Sequence, residues 1–284
     1  MDKQRSTITI SERRSGRATP SRLAVVTGAS SGIGLELART FLSHDFDVVV
    51  VAENDAIHEV PSALQTNGVQ EILPVQVDLA AVDGADILYQ QLRALGRPVH
   101  ALALNAGVGV GGPFLENSIE AEMNLIALNI SSLVRLSKLV LPDMVAQGEG
   151  RVLFTSSIAA LTPGPYYAVY AASKAFVHSF SEALRYELRD TGVTVTALQP
   201  GATDTNFFAR AGMLDTKAGR SDKDPPADVA NDGFDALMAG RDHVVAGSIK
   251  NRMQALISEI TPEPMKAAQH AKLTEPGSGV EEKD

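Results

Sequence analysis

The sequence alternates between short apolar runs and longer amphipathic segments, and this alternation limits the fold more than any other feature. Several of the runs, such as Leu23–Thr27 and Val48–Ala52, are apolar at nearly every position. Strands of that kind are buried on both faces, as in a parallel sheet that is covered by helices. The remaining predicted strands are Ile72–Val77, Val99–Leu104, Val152–Ser156, Val193–Leu198 and His243–Ala246.

The segments between these runs have helical periodicity. They include Ile33–Ser43, Ala85–Leu95, Ile119–Leu141 and Tyr170–Arg189. In the last of them an apolar residue recurs every four positions, which favours one face packed in the core over a face that binds a partner. That stripe consists of Phe176, Phe180, Leu184 and Leu188. Strand and helix alternate some six times without an internal repeat, which predicts one α/β domain with a doubly wound parallel sheet of about seven strands and helices on both faces.

Composition excludes several classes of function. Lys and Arg total 25 against 34 Asp and Glu, a net charge of −9, so nucleic acid is not expected as a partner. The chain has no Cys, which excludes disulfides, thiolate nucleophiles and Cys-ligated zinc. Its six His have no metal-ligand spacing, so we expect no metal. No apolar run approaches the roughly 20 residues of a membrane span, and we expect a cytoplasmic protein with no membrane partner.

The two ends of the chain lack periodicity. Residues 1–20 carry five basic residues and no apolar stretch of a secretory signal, so a flexible tail is favoured over a targeting segment. Residues 261–284 mix Pro, Gly, Glu and Lys and also predict a flexible tail. A single folded domain is therefore expected over 21–260.

A glycine-rich turn follows the first predicted strand. Gly28, Gly32 and Gly34 are spaced Gly-x-x-x-Gly-x-Gly where the strand gives way to the first helix. Glycines let a diphosphate approach the backbone, and a helix N-terminus offers free N–H groups to an anion. The alternative is a purely structural turn, because glycine turns are common in α/β proteins.

Polar residues also follow four later strands. They are Asp78, Asn105-Ala106-Gly107, Ser156-Ser157 and Gln199-Pro200-Gly201. Each by itself is explained by an ordinary turn or cap, but ligands of such sheets bind at the carboxyl ends of the strands.

Tyr170 and Lys174 lie four residues apart at the start of a long predicted helix and share one face. A free phenol is a poor general base at neutral pH. An ammonium about 5 Å away favours the phenolate by ~3 kcal/mol at an effective dielectric near 20, about two pKa units. The pair therefore predicts a general acid/base near its working range.

Taken together, these motifs resemble the classical short-chain dehydrogenase/reductases over roughly residues 20–247. The order and spacing of the following residues carry the resemblance: Thr27-Gly28, Gly32-Ile33-Gly34, Asp78-Leu79, Asn105-Ala106-Gly107, Asn129, Ser157, Tyr170-Ala171-Ala172-Ser173-Lys174 and Pro200-Gly201. The resemblance implies a single-domain Rossmann-type fold and a hydride transfer between a nicotinamide and a carbonyl or alcohol. It also implies that the domain over 21–260 is a dinucleotide-binding catalytic domain.

The resemblance also implies a catalytic tetrad. Tyr170 would exchange a proton with the substrate oxygen, Ser157 would hold that oxygen, and Lys174 would bind the nicotinamide ribose and lower the tyrosine pKa. Asn129 would help to hold a water in the proton relay. The implied cofactor-binding residues are Gly28, Ser30, Ser31, Gly32, Ile33, Gly34, Glu53, Asp78, Leu79, Asn105, Ala106, Gly107, Tyr170, Lys174, Pro200, Gly201, Thr203 and Thr205. Two alternatives remain, a non-catalytic dinucleotide sensor or scaffold and a related enzyme that dehydrates or epimerises.

Cofactor choice is where the sequence departs from the family pattern. NADP-preferring members carry a basic residue where this chain has Ser31 or Glu53, and NAD-preferring members carry an acidic residue at the position of Ala52. Glu53 beside a 2′-phosphate would cost on the order of 1–3 kcal/mol before screening. The expected cofactor is therefore NAD or NADP, and Glu53 favours NAD. The alternative is that Glu53 points to solvent and does not read the ribose.

The substrate side is expected to be mainly apolar, because few charges fall near the expected hydride position. Three segments would form it, Val108–Phe114, Ile158–Tyr167 and Thr203–Pro226. They contribute Val108, Val110, Phe114, Leu161, Pro163, Tyr166, Tyr167, Phe207, Phe208, Met213 and Leu214. We predict that residues 203–226 form a substrate lid. By resemblance, a homodimer or homotetramer is expected.

Overall fold

The computed structural model describes residues 21–64, 70–248, 251, 253 and 262–279. The predicted tail over residues 1–20 lies outside the described residues.

Seven parallel strands form one sheet in the order β3-β2-β1-β4-β5-β6-β7. The order reverses between β1 and β4, which is the switch point where doubly wound sheets bind ligands. The strands are β1 (Arg22–Thr27), β2 (Phe46–Ala52), β3 (Ile72–Gln76), β4 (Val99–Leu104), β5 (Gly150–Thr155), β6 (Val193–Pro200) and β7 (His243–Ala246). The predicted fold class and all seven strands are confirmed.

Helices cover both faces of the sheet. They are α1 (Gly32–Ser43), α2 (Val60–Ala63), α3 (Gly84–Ala94), α4 (Ile119–Ile126), α5 (Leu133–Gln147), α6 (Ala168–Leu188), α7 (Phe207–Arg210), α8 (Lys217–Arg220), α9 (Pro226–Met238) and α10 (Glu263–Thr274). Phe41 of α1 and Phe234 of α9 meet edge to face on one side of the sheet, with ring centroids 5.2 Å apart. On the other side α3, α5 and α6 bury Leu88, Leu136 and Val177. These two apolar layers cover the faces of the sheet, so a cavity is expected at the carboxyl ends of the strands.

Helices α4 and α5 are joined by a π-helical stretch, Ala127–Ser132, and together they form one continuous apolar helix from Ile119 to Gln147. By length and composition alone this helix could cross a membrane. Its residues Leu125, Leu136 and Met144 are buried in the protein, which is the pattern of a core helix.

The apolar stripe of α6 is only partly core. Phe180, Leu184 and Leu188 pack against the buried cluster as predicted. Phe176 is 38% exposed and stacks on Phe180 with ring centroids 5.7 Å apart. A four-residue repeat drifts around the helix relative to its 3.6-residue turn, so the first residue of the stripe leaves the core face.

The C-terminal end differs from the flexible tail predicted over 261–284, because residues 263–274 form α10. This helix has a weak amphipathic pattern, and its contacts are hydrogen bonds to loops that are distant in sequence. Periodicity therefore gave no sign of it.

Candidate active site

The glycine turn between β1 and α1 is built for a close approach of the backbone. Gly28 has a φ of +67°, and a Cβ on Gly34 would lie 2.1 Å from the Gly28 carbonyl oxygen. Side chains are therefore excluded at both positions. The N-cap residue Ser31 makes no side-chain cap bond, so the first N–H groups of α1 are left for a ligand. The turn and the helix N-terminus thus present backbone N–H groups at the end of β1, an arrangement that suits an anion.

A second network holds the end of β4 beside this turn. The Thr27 hydroxyl accepts hydrogen bonds from the backbone N–H groups of Asn105 and Ala106, each at 3.0 Å. The Asn105 side chain donates to the Thr27 carbonyl at 3.1 Å and accepts from Thr155 at 3.2 Å. Three strand ends are thus tied together under the cavity.

A cavity of about 580 Å³ runs along the carboxyl ends of the strands, a size typical of a ligand pocket. Most of the predicted site residues line it: Gly28, Ser30, Ser31, Gly32, Ile33, Glu53, Asn105, Ala106, Gly107, Ser157, Tyr170, Lys174, Pro200, Gly201, Thr203 and Thr205.

Four of the predicted site residues do not line the cavity. Gly34 lies beneath the turn, in contact with Gly28 and Asn105. Asp78 is exposed and accepts the N–H of Ala80 at 2.8 Å, while Leu79 is buried in the core. The fourth, Asn129, lies behind the cavity wall.

The π-helical stretch positions Asn129. Its amide accepts the N–H of Val108 and donates to the carbonyl of Val108, both at 3.0 Å, and donates to Ser173 at 3.0 Å. A π-helical turn rotates this side chain out of the regular helical spacing, a distortion that is frequent at functional sites. Asn129 therefore joins the loop after β4 to helix α6.

The inner end of the cavity brings together residues from the end of β5 and the start of α6. The Ser157 hydroxyl donates to the Pro200 carbonyl at 3.3 Å and accepts the N–H of Ala159 at 3.1 Å. The Lys174 ammonium donates to the Thr155 carbonyl at 2.8 Å and lies 5.7 Å from the centre of the Tyr170 ring. Three of the four predicted tetrad residues thus meet in one place.

The electrostatics of this pair differ from our prediction. Burial raises the pKa of Tyr170 to about 12, with the Ser157 hydroxyl acting in the opposite direction. Burial also lowers the pKa of Lys174 to about 8. The predicted lowering of the phenol pKa by the ammonium is not found: burial dominates the pKa of Tyr170, and the Lys174 ammonium donates to the Thr155 carbonyl.

On the substrate side the prediction holds in part. Val108, Tyr167, Phe207, Phe208 and Met213 line the cavity. The other six predicted residues do not line it: Val110, Phe114, Leu161, Pro163, Tyr166 and Leu214. Segment 203–226 borders the cavity and contains two short helices, α7 and α8. It also brings in three cations that we did not predict, Arg210, Lys217 and Lys223.

Sequence reasoning missed further lining residues. Asn54 donates to the Ser30 hydroxyl at 3.3 Å and lines the same end of the cavity as Glu53. His270, Leu273 and Thr274 of α10 also line the cavity. Asn54 directly follows Glu53 and could have been found from that position, whereas nothing in the sequence signals the residues of α10.

The cavity fits a nicotinamide dinucleotide. Its glycine turn and helix N-terminus suit a diphosphate, and the lysine and tyrosine at its other end suit a ribose and a reacting oxygen. Such a site on a doubly wound sheet defines a dinucleotide-dependent oxidoreductase.

Comparison with known proteins gives the family. The sequence profile described as short chain dehydrogenase matches residues 22–213, and the chain belongs to this family. An uncharacterized oxidoreductase of Staphylococcus saprophyticus is 31% identical over 217 residues, which span 76% of this chain and 91% of that protein.

Two solved structures share the fold and carry nicotinamide dinucleotides. A short-chain dehydrogenase from Sphingobium yanoikuyae in complex with NADPH has a TM-score of 0.75 and 27% identity, covering 84% of this chain and 93% of that one. A short-chain dehydrogenase/reductase from Burkholderia phymatum in complex with NAD has a TM-score of 0.71 and 26% identity, covering 79% and 88%. This chain is therefore an NAD(P)-dependent oxidoreductase of the short-chain family.

Proposed function

We propose that the protein transfers a hydride between NAD and a mainly apolar ketone or secondary alcohol. The observation that carries the proposal is the meeting of Ser157, Tyr170 and Lys174 at the inner end of the cavity, beyond the anion-binding turn. The nicotinamide, when bound, gives or takes the hydride.

The chain's own residues hold the substrate and move the proton. The Tyr170 hydroxyl donates its proton to the substrate oxygen during reduction and takes it back during oxidation. With substrate bound, the Ser157 hydroxyl donates its proton to the same oxygen in place of the Pro200 carbonyl, and the N–H of Ala159 keeps the serine oxygen fixed. Lys174 binds the ribose, and Asn129 keeps the loop at Val108 fixed to α6.

A preference for NAD is supported by the adenosine end of the cavity. Glu53 lines that end and is exposed, and no described contact neutralises its carboxylate. A 2′-phosphate beside it would meet a like charge. The neighbouring Asn54 and Ser30 are neutral hydrogen-bonding groups that suit a ribose hydroxyl.

A mainly apolar substrate is supported by the opposite end. Phe207 lies 5.0 Å from Tyr170 between ring centroids, and Tyr167 stacks on Tyr170 at 5.7 Å. With Phe208 and Met213 these rings give the Tyr170 end of the cavity an apolar lining. The three cations of segment 203–226 that line the cavity are Arg210, Lys217 and Lys223.

Titration with NADH and NADPH in parallel, followed by nicotinamide fluorescence at fixed salt, tests the cofactor. We expect NADH to bind at least about 10-fold more tightly than NADPH. This ratio corresponds to a repulsion of about 1.4 kcal/mol between the Glu53 carboxylate and the 2′-phosphate. Glu53→Gln is expected to narrow that ratio, and Glu59→Gln, an exposed carboxylate outside the cavity, is the matched control. Tighter binding of NADPH would contradict the preference.

Turnover is tested with ketones of increasing size, from cyclohexanone through acetophenone to benzophenone, by loss of NADH absorbance. We expect reduction of at least one of them and formation of the matching alcohol. Tight binding of NADH with no reduction of any ketone, and no oxidation of the alcohols with NAD, would instead indicate a dinucleotide sensor.

A further inference from the structure

The last described part of the chain, residues 262–279, is bound to both loops that border the substrate half of the cavity. We call this segment the C-terminal wall. It consists of α10 and the turn that follows it. The two loops are residues 162–167, just before α6, and residues 213–219, in the predicted lid.

His270 makes the central contact with the first loop. Its Nδ1 lies 2.7 Å from the Thr162 hydroxyl and 3.2 Å from the Pro163 carbonyl, and its Nε2 lies 2.9 Å from the Tyr167 hydroxyl. We assign the proton to Nδ1, because a carbonyl can only accept, and Nε2 then accepts the Tyr167 hydroxyl proton. A neutral imidazole agrees with the lowering of its pKa by burial.

Two further bonds join the same loop to the end of α10. Thr274 donates to the Pro165 carbonyl at 2.8 Å, and Tyr166 donates to the Glu275 carboxylate at 3.2 Å. Tyr166 has a φ of +62°, a conformation that a non-glycine residue adopts only when its surroundings enforce it. Within this loop only Gly164 lacks a described bond to the C-terminal wall.

The turn after α10 binds the second loop. The N–H of Gly277 donates to the Asp215 carboxylate at 2.7 Å, and the N–H of Gly279 donates to the Asp215 carbonyl at 2.8 Å. The N–H of Lys217 donates to the Ser278 hydroxyl at 3.1 Å. The wall therefore ties the lid to the loop that precedes the catalytic helix.

The inner side of the wall faces the reacting end of the cavity. His270, Leu273 and Thr274 line it. The ring of His270 meets Tyr167 edge to face at 5.5 Å, and Tyr167 in turn stacks on Tyr170 at 5.7 Å. A group attached to the substrate carbonyl and directed away from the nicotinamide would thus meet these residues.

We propose that the C-terminal wall determines substrate size, with Leu273 as the residue that limits the group beside the reacting carbonyl and His270 as the positioning residue that holds loop 162–167 against it. This inference rests on the proposed oxidoreductase function. Leu273 is 41% exposed, and its apolar side chain among the cavity residues is a contact for an apolar substituent.

Hydrogen exchange of the full-length protein tests the positioning part without any turnover. His270→Ala removes three contacts, and Thr274→Val removes one hydroxyl at nearly constant volume. We expect peptides that cover 159–171 and 211–219 to exchange at least about 10-fold faster in both variants, while peptides of β5 stay unchanged. Lys272→Ala, an exposed neighbour on α10 with no described contact, is the control. Exchange within two-fold of wild type in both variants would overturn this part, and Thr274→Val decides it if His270→Ala does not fold.

Kinetics with acetophenone and benzophenone test the size limit. We expect Leu273→Trp to lower the ratio of kcat/KM for benzophenone to that for acetophenone by about 10-fold, and Leu273→Ala to raise it, through KM more than kcat. Lys272→Trp should leave the ratio within two-fold. An unchanged ratio in both Leu273 variants would overturn the size limit while the oxidoreductase function stands. No turnover of either ketone by the wild type would count against the proposed function itself, and the size limit would fall with it.

Discussion

At the scale of single residues, the site depends on polar groups held out of water. Tyr170 and Lys174 both have pKa values shifted by burial toward their neutral forms. Such shifts lower the free energy of unfolding at any pH where the group is charged in the unfolded chain. Two predictions separate the proposed chemistry of the pair from its effect on stability.

Tyr170→Phe removes the proton donor and leaves the ring contacts to Tyr167 and Phe207 in place. We expect kcat to fall by about 10²–10⁴, the usual contribution of general acid/base catalysis, with the Kd for NADH changed by no more than a few fold. Stopped-flow turnover and a fluorescence titration measure the two quantities. Turnover comparable to that of the wild type would remove Tyr170 from this role.

Lys174→Met should abolish most turnover, yet its effect on stability should depend on pH. The pKa of Lys174 is lowered to about 8, so between pH 8 and 10.5 the unfolded chain binds more protons than the folded one. The free energy of unfolding of the wild type therefore rises with pH in that window, by about 2–3 kcal/mol relative to the variant. Urea unfolding of both proteins at pH 7, 8, 9 and 10 measures the trend. A difference between them that stays constant over this range would contradict the lowered pKa.

At the scale of secondary-structure elements, the junctions between strands and helices shape the site. The β1–α1 turn contains glycines where a side chain would clash, and this leaves the N-terminus of α1 facing the cavity. The π-helical stretch between α4 and α5 places the Asn129 side chain within hydrogen-bonding distance of the loop after β4. Regular helices and turns would satisfy the backbone hydrogen bonds equally well, but they would not place the N-terminus of α1 and the Asn129 side chain at these positions.

Gly34→Ala tests the turn. Its Cβ would lie 2.1 Å from the Gly28 carbonyl oxygen and 2.6 Å from the Asn105 amide, so the turn has to move. We expect a loss of about 1–3 kcal/mol in the free energy of unfolding and at least about 10-fold weaker NADH binding. Gly96→Ala, which meets no atom within 4 Å but has a φ of +62°, should cost about 1–2 kcal/mol and leave NADH affinity within two-fold. Wild-type affinity in Gly34→Ala would show that the turn does not hold the diphosphate.

At the scale of the whole molecule, apolar surface remains on the helices beside the site. Ile119 and Met123 of α4 are 63% and 54% exposed, and Phe176 of α6 is 38% exposed. An interface between copies of the chain would bury apolar side chains of this kind, so the expected homodimer or homotetramer can be tested at these helices.

Met123→Lys is therefore expected to shift the protein toward the monomer in sedimentation velocity at micromolar concentration, because a charge at an apolar interface loses its water without gaining a partner. Val82→Lys, at a site that is 88% exposed and outside these two helices, is the matched control and should not change the sedimentation coefficient. An assembly unaffected by Met123→Lys would place the interface elsewhere.

Much of the fold was predictable from local sequence. The seven strands and the main helices follow from apolar runs and helical periodicity. A strand that is buried on both faces is apolar at nearly every position, whereas a helix that is buried on one face is apolar once per turn. The glycine turn was also predictable, since a close approach of the backbone tolerates few residue types. The grouping of Ser157, Tyr170 and Lys174 was predicted from the resemblance to the family, and the three residues line one cavity in the structure.

Other features were decided only by the tertiary structure. The C-terminal wall is held by hydrogen bonds to loops about 60 and about 105 residues earlier in the chain, and such pairings leave no periodic pattern. The pKa of Tyr170 was mispredicted because spacing along a helix gives the distance between two groups but not the water around them. The sequence by itself thus determined the sheet, the glycine turn and the positions of Ser157, Tyr170 and Lys174. The tertiary structure decided which segments line the cavity and how strongly Tyr170 and Lys174 are desolvated, because both depend on contacts between distant parts of the chain.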